Sequence, residues 1–426
     1  MTIFKNAIPR ASVDIKFKEV WSLLFQFLRS HGLTEEVAQF EGAFARYIGA
    51  KGAVSFSSGR AAAYFGLKAL DLKNKDEVLL PAFTFWTDVS VVVLAGLKPV
   101  FVDVDPVSGN MDPSKIEEKI TPRTKVIFLT HLNGLPADME RIEDIARRRD
   151  LRIFEDCARA MGVKKDTRTL GSSDIGMFSF GFGKNLFLFG GGGMLTANDP
   201  AFINRLLEMK KDFKRPSRST MFTHLVKGLI LRAVNQPPFF GFTLFPLLKA
   251  FHIRKSKWAA KILRPKCSKS DSIPIDFFRP MSCIQARQGG FALQRIDSRN
   301  KKIVINSHTL RLALEDSPGL QVFKAIPVGS DEMIYFSLLC EDREGIKKFL
   351  FKRKIEIEEE SATDLTQDER FRHFAQNSSF PNAARLEQKM IFLPSHPGLN
   401  QRDLNHMITS VQEYVSTRKV GSGKQK

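Results

Sequence analysis

Between residues 17 and 50 apolar side chains recur at three- and four-residue spacing. Phe17, Val20, Trp21, Leu23 and Leu24 form one set and Val37, Phe40, Phe44 and Ile48 another, which predicts helices. From residue 53 the pattern changes to short apolar runs, each closed by turn residues and separated by helical stretches. Strands are predicted at 53–56, 77–80, 99–103, 126–129, 152–154, 176–180 and 193–196. Helices are predicted at 60–70, 84–95, 114–119 and 138–149. This alternation predicts an α/β domain around a mostly parallel sheet flanked by helices. Beyond residue 210 the pattern breaks: 225–231 and 239–251 are strongly apolar, interrupted by Pro237, Pro238 and Pro246 and flanked by Lys and Arg. A long helix at 284–305, a strand at 334–339 and helices at 343–353 and 401–414 then predict a smaller C-terminal α/β part. The expected organisation is a large domain over 17–285 containing an insertion at about 210–275, a small domain over 286–418 and a flexible basic tail over 419–426.

Composition and charge sharpen this picture. With 426 residues, 43% of them hydrophobic and 26% charged, the chain has material for two globular domains. The four cysteines, Cys157, Cys267, Cys283 and Cys340, form no closely spaced pair, so free thiols are expected and no metal site. The first 20 residues hold Lys5, Arg10, Asp14, Lys16 and Lys18 without an apolar run, so no signal peptide is read and a cytoplasmic protein is expected. The net charge of +19 is concentrated. Residues 205–266 carry fifteen Lys and Arg against two acids, Glu208 and Asp212, a net of +13 that leaves about +6 for the remainder. That segment has two readings, an insertion folded onto the protein or a peripheral membrane contact at the inner face, with apolar side chains in the interface and cations at anionic headgroups. No nucleic-acid motif accompanies the charge, and no nucleic-acid partner is expected.

The candidate chemistry centres on Lys184. It lies between Ser179 and the glycine run 190–193, and 28 residues after Asp156, which follows an apolar strand-like run. An amine able to form a Schiff base, a strand-end carboxylate for a pyridine nitrogen, and small polar groups for a phosphate are the parts of a pyridoxal 5'-phosphate site. Ser58 and Gly59 add a strand–turn–helix junction where backbone amides favour an anion. Ser58, Asp156 and Ser179 are each expected at the carboxyl end of a strand, where ligands gather in such folds.

Several blocks carry a resemblance: 57–62 (SSGRAA), 80–85 (LPAFTF), 95–105 (AGLKPVFVDVD), 131–139 (HLNGLPADM), 155–160 (EDCARA), 178–185 around Lys184, 380–386 (FPNAARL) and 393–399 (LPSHPGL). In order and spacing they resemble the DegT/DnrJ/EryC1/StrS family of pyridoxal phosphate-dependent sugar aminotransferases, of the fold type I aminotransferases. The resemblance implies that Lys184 binds the cofactor aldehyde and shuttles a proton, and that Asp156 pairs with the ring nitrogen. It implies that Ser58, Gly59 and Ser179 bind the phosphate and that Phe85, with Trp86 as the alternative, stacks on the ring. It also implies an amino-acid donor such as glutamate, a nucleotide-linked keto-sugar acceptor on the way to a surface polysaccharide or glycoconjugate, and a homodimer. A sugar dehydratase is disfavoured because relatives with that chemistry carry His where Lys184 stands; a non-catalytic cofactor-binding scaffold or regulator is the other alternative. Four positions depart from the family's habit. Arg60 stands where Thr is common, Arg159 where Gln or His lies near the phenolic oxygen, Gly191 where Glu is frequent, and Phe277-Phe278-Arg279 where an Asn reaches the neighbouring subunit's phosphate. Arg60 and Arg159 are therefore expected beside the cofactor, with Arg60 supplying a phosphate contact. His131 and His396 are read as hydrogen-bonded structural residues.

Overall fold

A computed structural model describes residues 7–29, 35–236, 239–246, 248–249, 273–323, 334–357, 362–375 and 378–422. Cys267, the basic stretch 251–272 and the last four residues of the tail lie outside them. The large sheet has seven strands: β1 (Gly52–Phe56), β2 (Glu77–Pro81), β3 (Lys98–Val102), β4 (Thr124–Thr130), β5 (Arg152–Asp156), β6 (Ile175–Ser179) and β7 (Gly193–Ala197). Their spatial order is β1-β7-β6-β5-β4-β2-β3. β6, β5, β4, β2 and β3 pair in parallel, whereas β7 runs antiparallel to both β1 and β6. The sheet is thus mostly parallel, as its hydrophobic runs predict.

Helices cover both faces, which is why the strands read as continuous apolar runs rather than alternating ones. On β4, Val126 and Phe128 face the cluster holding helix α3 (Gly59–Ala69), while Ile127 and Leu129 face helix α5 (Met139–Arg149) through Ile142 and Ile145. Between these two helices in sequence lies α4 (Trp86–Leu94). Phe128 and Phe154 are fully buried with ring centroids 4.6 Å apart. Burying such a side chain contributes about 1.5–3 kcal/mol. Helix starts follow local side chains: Ser58 caps α3 and Asp138 caps α5, each accepting from a first-turn amide.

At the N-terminus, α1 (Phe17–Arg29) and α2 (Glu35–Ile48) match the expected helical stretch. Past the sheet come α6 (Pro200–Lys210), started by Asp199 and Pro200, and α7 (Arg218–Val234), both absent from the sequence reading. The predicted helix at 284–305 is two helices, α8 (Cys283–Leu293) and α9 (Ile296–Leu314). The break falls at Arg295, which leaves the helical region at φ −114°, ψ 0° and binds Glu19 at 3.0 Å. The predicted helix at 114–119 is two short 3₁₀ turns. The C-terminal part holds strands β8 (Leu320–Val322), β9 (Phe336–Cys340) and β10 (Met390–Leu393), ordered as numbered, with helices α10 (Arg343–Lys352) and α11 (Pro381–Lys389). Helix α12 (Gln401–Ser422) runs past its expected end.

Candidate active site

Because β7 separates β1 from β6 and opposes both, β1 runs in the same sense as β5 and β6. Their carboxyl ends therefore meet at one edge. Asp156 closes β5, Ser179 closes β6, and Ser58 follows β1 by two residues. Two glycines permit the close approach of these ends. A Cβ on Gly59 would stand 2.7 Å from the Ser179 Cβ, and one on Gly193 would stand 2.3 Å from the Ser58 carbonyl oxygen. The N-terminus of α3, with its amide dipoles, is thereby held against the ends of β6 and β7. The Ser58 hydroxyl accepts from Ala61 N at 3.1 Å, which leaves its proton to donate. After β6 the chain loops back, with Leu188 N donating to Phe180 O at 3.0 Å, and the loop carries Lys184.

Seven of the eight expected site residues line one cavity of about 230 Å³: Ser58, Gly59, Arg60, Phe85, Asp156, Ser179 and Lys184. The Lys184 ammonium lies 5.1 Å from the Phe85 ring centroid. Arg159, the eighth, packs against Phe85 and does not line that cavity. Its buried guanidinium lies 5.2 Å from that ring, 4.5 Å from Tyr335 and 5.7 Å from Phe392. Trp86 takes another direction, its ring against the guanidinium groups of Arg60 (6.0 Å) and Arg370 (5.2 Å). Phe277, in the loop that lacks the family's Asn, faces Arg60 at 6.0 Å. A second, smaller cavity of about 40 Å³ opens on the other side of Lys184, between Tyr335, Arg10 and Arg299.

The sequence reading missed Asp88. It lines the main cavity, is 2% exposed, and forms a buried acid pair with Asp156, itself 3% exposed. Burial raises the Asp88 carboxyl well above its ordinary value, and the neighbouring Asp156 raises it further. Burial also raises Asp156, while the Lys184 charge and the Ala158 amide, which donates to its Oδ1 at 2.8 Å, pull it back. Asp88 therefore carries the proton and donates it to Asp156, which keeps the negative charge near Lys184. Thr84 holds Asp88 from the opposite side, donating to Oδ2 at 3.1 Å, with Thr130 Oγ1 2.7 Å from the Thr84 hydroxyl. A lone acid within the apolar run of α4 was the available signal. Tyr335 was missed too; its hydroxyl donates to the Gly183 carbonyl at 2.7 Å and steadies the Lys184 loop.

His131, Glu155 and Cys157 lie together under this site and are fully buried. His131 Nδ1 accepts from Ala137 N at 3.1 Å, so Nε2 bears the proton and donates to Glu155 at 3.0 Å. Burial works against the Glu155 charge, but His131, Ser173 and the Gly171 amide donate to it and hold its carboxyl below the ordinary value. His396 Nε2 lies 2.9 Å from the Pro9 carbonyl, and burial lowers its pKa to about 4. Both histidines are engaged in structural hydrogen bonds.

The donor set fits pyridoxal phosphate: an amine and a buried strand-end carboxylate share one cavity with hydroxyls and helix-start amides. The profile of the DegT/DnrJ/EryC1/StrS aminotransferase family matches residues 19–236 and 274–412. The match is interrupted only over 237–273, a narrower stretch than the 210–275 insertion expected, so α7 falls inside the matched region. Over 249 residues the chain is 33% identical to a pleiotropic regulatory protein of Geobacillus stearothermophilus, covering 58% of this chain and 66% of that one. Over 200 residues it is 37% identical to the GDP-perosamine synthase of Caulobacter vibrioides, covering 47% and 53%. These alignments span between about half and two thirds of the relatives' own length. The crystal structure of ntda from Bacillus subtilis with bound cofactor PMP has the same fold, with a TM-score of 0.74 at 20% identity over 97% of this chain and 86% of that one.

Proposed function

Because the chain belongs to the DegT/DnrJ/EryC1/StrS aminotransferase family, we propose that it moves an amino group from an amino acid, glutamate, to a nucleotide-linked keto-sugar, using pyridoxal phosphate. The reading rests on the convergence of Lys184, Asp156, Ser58, Gly59 and Ser179 on a single cavity. When bound, the cofactor supplies an electron sink that acidifies a hydrogen on an amine-bearing carbon. Everything else falls to this chain. The Lys184 amine would hold the cofactor covalently and, when free, would take and return that hydrogen as a proton at Nζ. Asp156 holds a negative charge at the strand end, suited to a protonated ring nitrogen. Ser58, Ser179 and the α3 amides bind the phosphate, with Arg60 as a further cation at the cavity wall. Phe85 covers one side, and the Arg159 guanidinium packs against that ring rather than lining the cavity.

The nucleotide-linked acceptor is drawn from the names of relatives such as GDP-perosamine synthase. Amino-sugar supply to a surface polysaccharide or glycoconjugate follows from such a product. A homodimer is part of the same proposal, tested by light scattering on the purified chain. The similarity to a protein named as a regulator favours one other reading, a cofactor-binding scaffold without turnover. Supplying the loaded protein with glutamate and a nucleotide-linked 4-keto-sugar separates the two. The proposal expects 2-oxoglutarate and an amino-sugar in equal amounts; a chromophore indifferent to glutamate, over a panel of keto-sugars, would leave the scaffold.

A further inference from the structure

Helix α1 is apolar on two sides. Leu23 is buried, with Val20, Leu24 and Phe27 packed around it, and three polar side chains also face the protein: Glu19 (4% exposed) binds Arg295 at 3.0 Å, Gln26 (5%) binds Glu36 at 2.7 Å, and Ser22 accepts from Arg287 at 2.9 Å. A second set of large apolar side chains faces outward, with Phe17 68%, Trp21 64%, Phe25 52% and Leu28 69% exposed. Their spacing places them on a single stripe. Six hydrogen-bonding groups fix the inner face, so the helix cannot roll to bury that stripe without leaving charged and amide groups unpaired.

Helix α7 extends the same surface. Phe27 and Phe222 have ring centroids 5.8 Å apart, Arg218 donates to the Phe27 carbonyl at 3.4 Å, and Arg232 donates to the Ile15 carbonyl at 3.0 Å. Phe222 (53%) and Ile230 (57%) stand outward from it. Cations interleave with the rings: the Arg29 guanidinium lies 4.2 Å from the Phe25 centroid and that of Arg232 lies 5.8 Å from Phe17. Lys16, Lys18, Arg218 and Lys227 are exposed beside them. Neither helix carries an exposed acid, because α7 has no Asp or Glu and the single acid of α1, Glu19, is buried.

We infer that the outward faces of α1 and α7 form a docking surface for an anionic lipid bilayer. Aromatic and aliphatic side chains ringed by Arg and Lys match the boundary between acyl chains and acidic headgroups. A second copy of the chain is a poorer occupant, because a two-fold contact would set one cationic face against another. The contact is interfacial: among the described residues, no helix is long and apolar enough to cross a membrane. Relative to the sequence reading, the surface shifts toward the N-terminus, since α1 supplies most of its exposed rings.

The full-length protein is sedimented with vesicles of phosphatidylcholine alone and of phosphatidylcholine with phosphatidylglycerol. Each cation near an anionic surface strengthens binding by roughly fivefold. The expected result is sedimentation with the anionic vesicles at least tenfold stronger than with the neutral ones, and release by salt. Replacing Phe17, Trp21, Phe25 and Leu28 together by Ser should weaken binding at least tenfold with unchanged circular dichroism and cofactor absorbance, since all four are exposed. Arg218→Glu with Lys227→Glu should remove the preference for phosphatidylglycerol. Wild-type protein that stays in the supernatant with anionic vesicles overturns the inference, as does a four-Ser variant that binds like the wild type. A four-Ser variant that becomes monomeric while still sedimenting assigns the face to a second copy instead. None of these readouts depends on transamination.

Discussion

Replacing Asp88 by Asn tests the buried acid pair directly. The Asn amide can donate to Asp156 as the protonated Asp88 carboxyl does, so the geometry is retained while the titratable proton is removed. The sign follows from linkage. Burial and Asp156 raise the folded-state pKa of Asp88 above its unfolded value near 3.9, so the folded chain binds more protons than the unfolded one. The stability contributed by that proton is complete below about pH 4 and is lost as the pH climbs through the folded pKa. In that window one extra bound proton changes stability by about 1.4 kcal/mol per pH unit. Asp156 and the Lys184 charge face position 88 in both proteins. Urea unfolding of the cofactor-stripped proteins at pH 5, 6 and 7 is the assay. The advantage of Asp88→Asn should grow with pH for as long as the folded carboxyl keeps its proton, at a slope of about 1 kcal/mol per pH unit. A difference flat to within about 0.5 kcal/mol would mean that Asp88 has already given up its proton in the folded chain by pH 5, and the assignment of the proton would fall.

Three further outcomes are expected. Ser58→Ala removes the α3 cap and one hydroxyl facing the cavity, so it should cost about 1 kcal/mol in urea unfolding and also weaken cofactor binding measured by absorbance titration. Glu155→Gln removes the charge and turns one of the two oxygens that accept from His131, Ser173 and the Gly171 amide into a donor. It should destabilise the protein by about 1–3 kcal/mol at pH 7, with the gap closing as the pH falls below about 4, because a lowered carboxylate loses its contribution on protonation. Gly193→Ala pushes a methyl group into the Ser58 carbonyl. Impaired cofactor retention at preserved far-ultraviolet dichroism is the expected result, and retention equal to wild type would place the close approach outside the binding machinery.

The cofactor-facing residues were legible because their signals are local. Ser58 and Gly59 sit at a strand–turn–helix junction, Asp156 and Ser179 end apolar runs, and Lys184 follows one of them within five residues. Asp88 leaves only a faint trace, a lone acid in an apolar helix, because an acid in the first turn ordinarily serves the helix dipole. What makes it different is Asp156, brought beside it only by the parallel sheet. Helix α1 shows another limit. Its period predicts the helix and puts Phe17 and Trp21 in one apolar set with Leu23, yet of these three only Leu23 is buried. Periodicity states that a stripe exists; which side faces the protein depends on partners such as Arg295 and Arg287, which lie far along the chain. The split of α8 from α9 was hidden for the same reason, because the break is fixed by the ion pair of Arg295 with Glu19.

The account turns on the Lys184 side chain as the covalent anchor of the cofactor. The direct measurement is to load the protein with pyridoxal phosphate, reduce it with borohydride, digest it and locate the pyridoxyl group by mass spectrometry, with Lys184→Ala alongside. The account predicts a visible chromophore in the wild type, the pyridoxyl mass on the peptide containing Lys184, and neither in the variant while it remains folded. A modification found on a different lysine, or an equal chromophore in Lys184→Ala, would contradict it.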